Sequence, residues 1–344
     1  MSLRLLLAAL GLVSTSAWAL EPPATIENAR VELRPGVTPA AALADAARGK
    51  DVTWVGWSVE AIPTLGDVCC FTNNFKGRGC SLGERESSWG TNDKFKGGRP
   101  SDLYVLVEVK EAAPHRIKIF SPDCHVDGAN RRVVWLGPVE ADASLSTLEK
   151  LVDRDEEKIS ETALVAIAYH GDPRADALIE KRAFDRSLGS RAREQAIFWA
   201  GQARGEAGVR TIERVLTTES DGDLRQNAVF SLSQSPVPGI AEKIKRVAVE
   251  DKDPDVRAHA LFSLTQTKAA GSGEWIVSRL DAERNDHVRE QAVFALSQLD
   301  DGTDWLLKVL RSNRDPETVR RALFWLGQSE DPRALTEIEK ILDR

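Results

Sequence analysis

The 344-residue chain carries only four cysteines, all before residue 125. It has no C-x-x-C pair, no H-E-x-x-H helix and no Gly-rich phosphate loop, so the spacings of redox, zinc-hydrolase and nucleotide-binding sites are missing. Gly56-Trp57-Ser58-Val59-Glu60 puts Glu where a nucleophile elbow needs its last Gly. The adjacency of Cys69 and Cys70 is wrong for zinc-binding pairs. No apolar run approaches the ~20 residues of a membrane span. Basic excess is also lacking: the formal net charge is −7, which leaves no electrostatic footprint for nucleic acid or anionic lipid. No catalytic residue, metal or cofactor is expected.

The first residues read as an address. Arg4 precedes an apolar stretch from Leu5 to Val13, and Ala17-Trp18-Ala19 is an A-x-A cleavage signal. The expectation is a signal peptide over 1–19, a mature chain from Leu20, and export to the periplasm or beyond. Four cysteines in an exported chain imply up to two disulfides. Cys69 and Cys70 rarely bond each other, so each should pair with Cys80 or Cys124, in an order the sequence leaves open.

The C-terminal half repeats itself. "AIFWAGQ", "AVFSLSQ", "ALFSLTQ" and "AVFALSQ" begin at Ala196, Ala228, Ala260 and Ala292, and "ALFWLGQ" follows at Ala322. A degenerate copy stands at Ala163. A fixed period near 32 residues predicts stacked helix pairs. "KDPD" and "RDPE" supply Asp as an N-cap and Pro in a first helical turn. Asp253-Pro254-Asp255-Val256-Arg257 continues into Ala-x-x-Leu-type periodicity, with Val288-Arg289 and Val319-Arg320 as partial matches and Arg193 and Arg225 in the same slot. Over roughly 155–344 the chain resembles HEAT repeats of the short, phycobilisome-lyase-like type. That resemblance implies a superhelical scaffold of about six helix pairs and no particular activity.

Residues 20–150 read differently. "ARVELRP", "DVTWVGWSVE", "LYVLVEVK", "RIKIFS" and "RRVVWLGP" are strand-like, and "TPAAALADAARG" is a helix capped by Thr38. The expected fold is therefore multidomain: a small disulfide-containing α+β head with a mostly antiparallel sheet, then an all-α solenoid over 151–344. The head holds a Gly-rich cysteine loop, 64–101, in which basic and aromatic residues alternate with acids. Asp123-Cys124-His125-Val126-Asp127-Gly128 resembles half a calcium loop but lacks its final Glu, and a turn between strands explains it better.

On a helical wheel at ~100° per residue, Ala292, Val288, Leu296 and Ala295 share the face turned to the partner helix. Phe294 falls on the far side, flanked by Gln291 and Gln298. The copies repeat this triplet as Gln195-Phe198-Gln202, Asn227-Phe230-Gln234, His259-Phe262-Gln266 and Arg321-Phe324-Gln328. Two readings stay open. The rings wedge between neighbouring helices while the amides bond across the inter-repeat turns, or the rows form an apolar–polar track for a protein, a peptide or a glycan strand. The functional expectation is an exported protein-binding scaffold. The alternative is an enzyme sited in the head, which would need a cleft around Trp57, Cys124 and His125.

Overall fold

The computed structural model describes residues 26–63, 68–70, 80–83, 102–122, 124–154, 156–312, 315–329 and 331–342. The signal segment 1–19, most of the cysteine loop and Asp123 lie outside them.

Two short strands open the described chain, β1 (Ile26–Glu27) and β2 (Arg30–Leu33). Helix α1 (Pro39–Arg48) follows, with Thr38 Oγ1 accepting from the Ala41 N–H at 3.3 Å and Pro39 in the first turn. Then come β3 (Thr53–Glu60), β4 (Cys80–Ser81), β5 (Asp102–Lys110), β6 (Ala113–Phe120), β7 (Val126–Asp127) and β8 (Arg132–Pro138). The main sheet has the order β2-β8-β3-β5-β6. The expectation of a mostly antiparallel sheet needs correction, because β8 runs parallel to both β2 and β3. The reason is α1, which carries the chain over the sheet from β2 so that β3 re-enters in the same direction, leaving a gap that β8 later fills. Only β3–β5 and β5–β6 are antiparallel. A second, three-stranded sheet orders β1-β7-β4, all parallel.

Alternation along the strands gives the main sheet two apolar faces. Val55, Trp57, Val105, Val107, Ile119 and Val134 point to one, and Trp54, Leu106, Phe120, Val133 and Trp135 to the other. The second face packs with the small sheet and the cysteines. Cys69 bonds Cys124 and Cys70 bonds Cys80, with Cα–Cα distances of 5.1 and 5.5 Å. The order left open by the sequence is thereby fixed.

The first face is covered by α1, by α2 (Ala141–Val152) and by α3 (Glu157–Tyr169). Trp57 Nε1–H donates to Ser144 Oγ of α2 at 3.0 Å, which satisfies the indole inside the core. Since α3 is also the first helix of the array, one continuous apolar core runs from the sheet into the repeats. Backbone bonds seal the joint: Ile62 N–H to Tyr169 O at 3.0 Å and Gly171 N–H to Glu60 O at 2.7 Å.

The array continues as α4 (Arg174–Phe184), α5 (Ser190–Ala203), α6 (Gly205–Thr218), α7 (Gly222–Ser233), α8 (Ile240–Glu250), α9 (Pro254–Gln266), α10 (Ser272–Leu280), α11 (Asp286–Ser297), α12 (Gly302–Ser312), α13 (Pro316–Gly327) and α14 (Pro332–Leu342). Helices α3, α5, α7, α9, α11 and α13 form one layer, and the even-numbered helices from α4 form the other. Neighbours in the first layer pack directly on each other. Small residues permit it: a Cβ on Gly201 would come within 2.1 Å of the Ser231 carbonyl oxygen of the next helix. In the second layer α8 rests on α7 and α9, and a cleft of about 410 Å³ separates it from α6. The array therefore bends with the first layer inside.

Candidate functional site: the inner face of the repeats

Each first-layer helix starts on a side-chain cap. Asp221 accepts from Asp223 N–H at 2.9 Å, Asp253 from Asp255 N–H at 3.0 Å, Asn285 from Val288 N–H at 3.1 Å and Asp315 from Thr318 N–H at 2.9 Å. With starts fixed in this way, equivalent residues fall in rows across the layer. The alanines, with Val288 and Leu296 and their counterparts, are buried against the second layer. Phe198, Phe230, Phe262 and Phe294 are half-buried on the opposite side, and Phe324 is 55% exposed.

These rings touch. Phe262 and Phe294 stack with centroids 5.9 Å apart and planes 13° apart. His259 stands between Phe230 and Phe262 at 6.4 and 6.3 Å. Phe294 meets Trp325 at 5.1 Å, and Trp325 meets Phe324 at 5.2 Å. At the other end Phe198 meets Trp199, which meets Tyr169. The residue after each Phe is Trp in the first and last of these copies but Ser231, Ser263 and Ala295 in the middle three. Two tryptophans thus bracket a three-rung aromatic ridge.

The glutamines behave otherwise. Gln202, Gln266, Gln298 and Gln328 are exposed and Gln234 is half-exposed. None of the printed bonds of this row crosses an inter-repeat turn. Instead Gln234, Gln266 and Gln298 donate from Nε2 to the hydroxyl just before them, Ser233, Thr265 and Ser297, at 3.0, 3.2 and 3.1 Å. That leaves the row's amide oxygens facing solvent beside the rings. On the other flank Gln195 donates to Glu161 at 2.6 Å, and the Asn227 side-chain oxygen lies 3.4 Å from Ser231 Oγ. Gln291 and His259 are half-buried, and burial lowers the His259 pKa, which favours the neutral ring. Arg321 pairs with Glu290 at 2.6 Å. The wedge reading thus describes the rings, while the amides stand free of the role it gave them.

A second set of rows went unread in the sequence. Arg193, Arg225, Arg257 and Arg289 recur every 32 residues, and so do Glu219, Asp251, Glu283 and Asp315. Each arginine reaches the acid 26 positions on, in the loop leading to the next first-layer helix. Arg225 is bidentate to Asp251 at 3.0 and 3.1 Å and also donates to the Glu219 and Ser220 carbonyls at 3.2 and 3.0 Å. The Arg193 guanidinium beside Glu219 holds that carboxyl down at about 2. Val319-Arg320 breaks the register: Arg320 bonds only Glu317 within its own helix among the printed contacts. The equal 32-residue spacing of the two sets was the available signal. Arg204 clamps the joint in a similar way, donating to the carbonyls of Ala168, His170 and Asp172 and to Asp176.

In the head, Trp57 faces the helices while Cys124 is bonded to Cys69 on the other side of the sheet. Trp57, Cys124 and His125 therefore share no cleft. The buried Glu108 is held bidentate by Arg116 at 2.6 and 2.7 Å, with the guanidinium 5.4 Å from the Trp54 ring. Asp127 Oδ1 accepts from Ala129 N–H at 3.0 Å, closing a turn ahead of β8. No group of three or more metal-capable side chains occurs among the described residues.

Residues 209–297 match the family described as HEAT repeats, and residues 319–344 match the PBS lyase HEAT-like repeat. The array is built of HEAT repeats. Comparison with curated proteins gave no match at a significant level. Among solved structures, the Escherichia coli protein YibA is similar at 19% identity, with 60% of this chain and 77% of that one covered and a TM-score of 0.37. Human deoxyhypusine hydroxylase, solved in complex with glycerol, is similar at 15% identity, covering 57% and 88%, with a TM-score of 0.27. Neither likeness bears on what these HEAT repeats do. No described helix is long and apolar enough to cross a membrane.

Proposed function

We propose that the chain is an exported scaffold whose inner repeat face holds an extended segment of another protein. Residues 1–19 are its export signal, 20–150 its head and 151–344 the array. Two disulfides and the apolar leader with its A-x-A site support the exported setting. One observation carries the binding reading. Half-buried rings lie in a row beside exposed amides, along a surface that fixed helix caps keep in register. Rings offer apolar area while amides can pair the N–H and C=O groups of a strand that brings no partners of its own. Concave faces of solenoids are where such segments dock.

The test is a selection of displayed random peptides on the oxidised mature protein, followed by affinity measurement against Gln234→Ala/Gln266→Ala/Gln298→Ala. Peptides that bind the parent and lose at least about tenfold on the triple variant are expected, since each lost amide bond is worth ~1 kcal/mol. Selected peptides indifferent to the triple variant would move the site off this face.

A further inference from the structure

The same face has an uneven charge pattern, and it narrows the partner. This step rests on the binding reading above. Seven residues before each Phe, almost in line with it on the helix, stand Arg191, Asp223, Asp255, His287 and Glu317. At both ends opposite charges meet. Arg191 pairs with Glu157 and Glu161, and Glu317 pairs with Arg320 and Arg321. Over the middle repeats they do not. Asp223 and Asp255 are exposed, and among the described residues neither has a Lys or Arg within ion-pair distance. Their recorded partners are the amide of Gln226 at 3.3 Å and His287 at 3.5 Å. The uncompensated stretch coincides with the three-rung ridge of Phe230, Phe262 and Phe294.

All first-layer helices run the same way, so the opposite edge of the ridge carries their C-terminal carbonyls and the glutamine oxygens. Helix C-termini favour positive charge. Both edges of the ridge therefore attract cations, while its centre is apolar. We propose that the bound segment is an extended peptide of roughly nine residues in which lysine or arginine alternates with apolar side chains. The length follows from helix spacing of ~8–10 Å and a rise of ~3.3 Å per extended residue, about three residues per repeat over three repeats. Apolar side chains would rest on the rings, and cationic side chains would reach Asp223 and Asp255 on one edge and the carbonyl-rich edge on the other.

Two synthetic nonapeptides with the same apolar residues test this, one with lysines and one with glutamates at the remaining positions. Fluorescence anisotropy against the oxidised mature chain should show the lysine peptide binding at least about tenfold tighter at low salt, with the preference shrinking as salt is added. Asp223→Lys/Asp255→Lys should abolish the preference, because two favourable charge contacts become repulsive. Both positions are exposed, and matched thermal melts of parent and variant would establish that the fold is kept. Equal binding of the two peptides, or a preference that survives the double reversal, overturns the charge assignment. Failure of the lysine peptide to bind at all does so too. If the random selection nevertheless yields glutamine-dependent peptides, the track stands and only its proposed occupant falls.

Discussion

Replacing Arg225 with Met is the sharpest probe of what holds the repeats in register. The Arg225 side chain is 3% exposed, and that of its bidentate partner Asp251 is 8% exposed. Met keeps much of the stem volume but deletes five donors. It strands a buried carboxylate and two carbonyls, of Glu219 and Ser220. Removing one member of a buried pair costs ~3–5 kcal/mol, far above the ~0–1 kcal/mol of an exposed one. Asp251→Asn in the same chain discharges the stranded group and keeps an oxygen for the Asp253 N–H, which Asp251 accepts at 2.9 Å. The double variant should therefore recover ~2 kcal/mol relative to the sum of the singles. The assay is urea unfolding followed by circular dichroism, with hydrogen exchange to locate the loss. Because repeats couple chiefly to their neighbours, faster exchange should concentrate in α7 to α9. Arg320→Met, whose side chain is 67% exposed, is the control and should cost under ~1 kcal/mol. If Arg225→Met were as mild as that control, or if the singles simply added, the ladder would be ornament and not structure.

Two further outcomes follow from buried groups. His170 is 1% exposed at the joint, its Nδ1 accepts from Asp172 N–H at 3.2 Å, and burial pushes its pKa down to about 4 from 6.5, with Asp172 opposing and Arg204 and Arg174 reinforcing the drop. The unfolded chain then binds the proton more readily, so stability should fall as pH drops below 6.5 and level off near 4, by ~2 kcal/mol between pH 7 and pH 5. His170→Gln should flatten the slope of denaturation midpoint against pH in that window, where Glu219, held at about 2, remains ionised when folded; an unchanged slope would remove His170 as its cause. Gly208 of α6 leaves no room for a Cβ, which would sit 1.8 Å from the Ala200 carbonyl oxygen of α5. Gly208→Ala should lower stability by ~1–3 kcal/mol through forced separation of the two helices, and a thermal midpoint equal to the parent's would contradict so close a packing.

The HEAT repeats were legible because stacking imposes the same demand on every copy. Alanine at the closest approach, Asp or Asn at the cap and Phe on the inner face all recur at one spacing. The arginine–carboxylate rows recur as regularly, yet each pair is split over 26 residues, so neither half suggests the other when a single helix is read. The parallel placement of β8 was hidden for a related reason. Strand direction is set by the path of α1 over the sheet, and the apolar pattern of β8 would serve either direction. Cysteine adjacency narrowed the disulfides to two orders; three-dimensional placement of Cys124 against Cys69 decided between them. For the aromatic row, periodicity gave the face but not the contacts: whether rings stack or splay depends on the distance between helices, which small residues such as Gly201 and Ser231 set jointly.

The continuity of the core from sheet to α3 bears on how such an array can change in length. Copies between α5 and α13 present nearly interchangeable surfaces to their neighbours, so one could be duplicated or lost there without baring a new apolar edge. The first repeat has no such freedom, since α3 packs on β5 and β6 as well as on α4 and α5. Its outer neighbour is a β-sheet and not another helix pair. Gain and loss of units would thus be confined to the interior and the far end, with the head as a fixed origin from which the rungs of the track are counted.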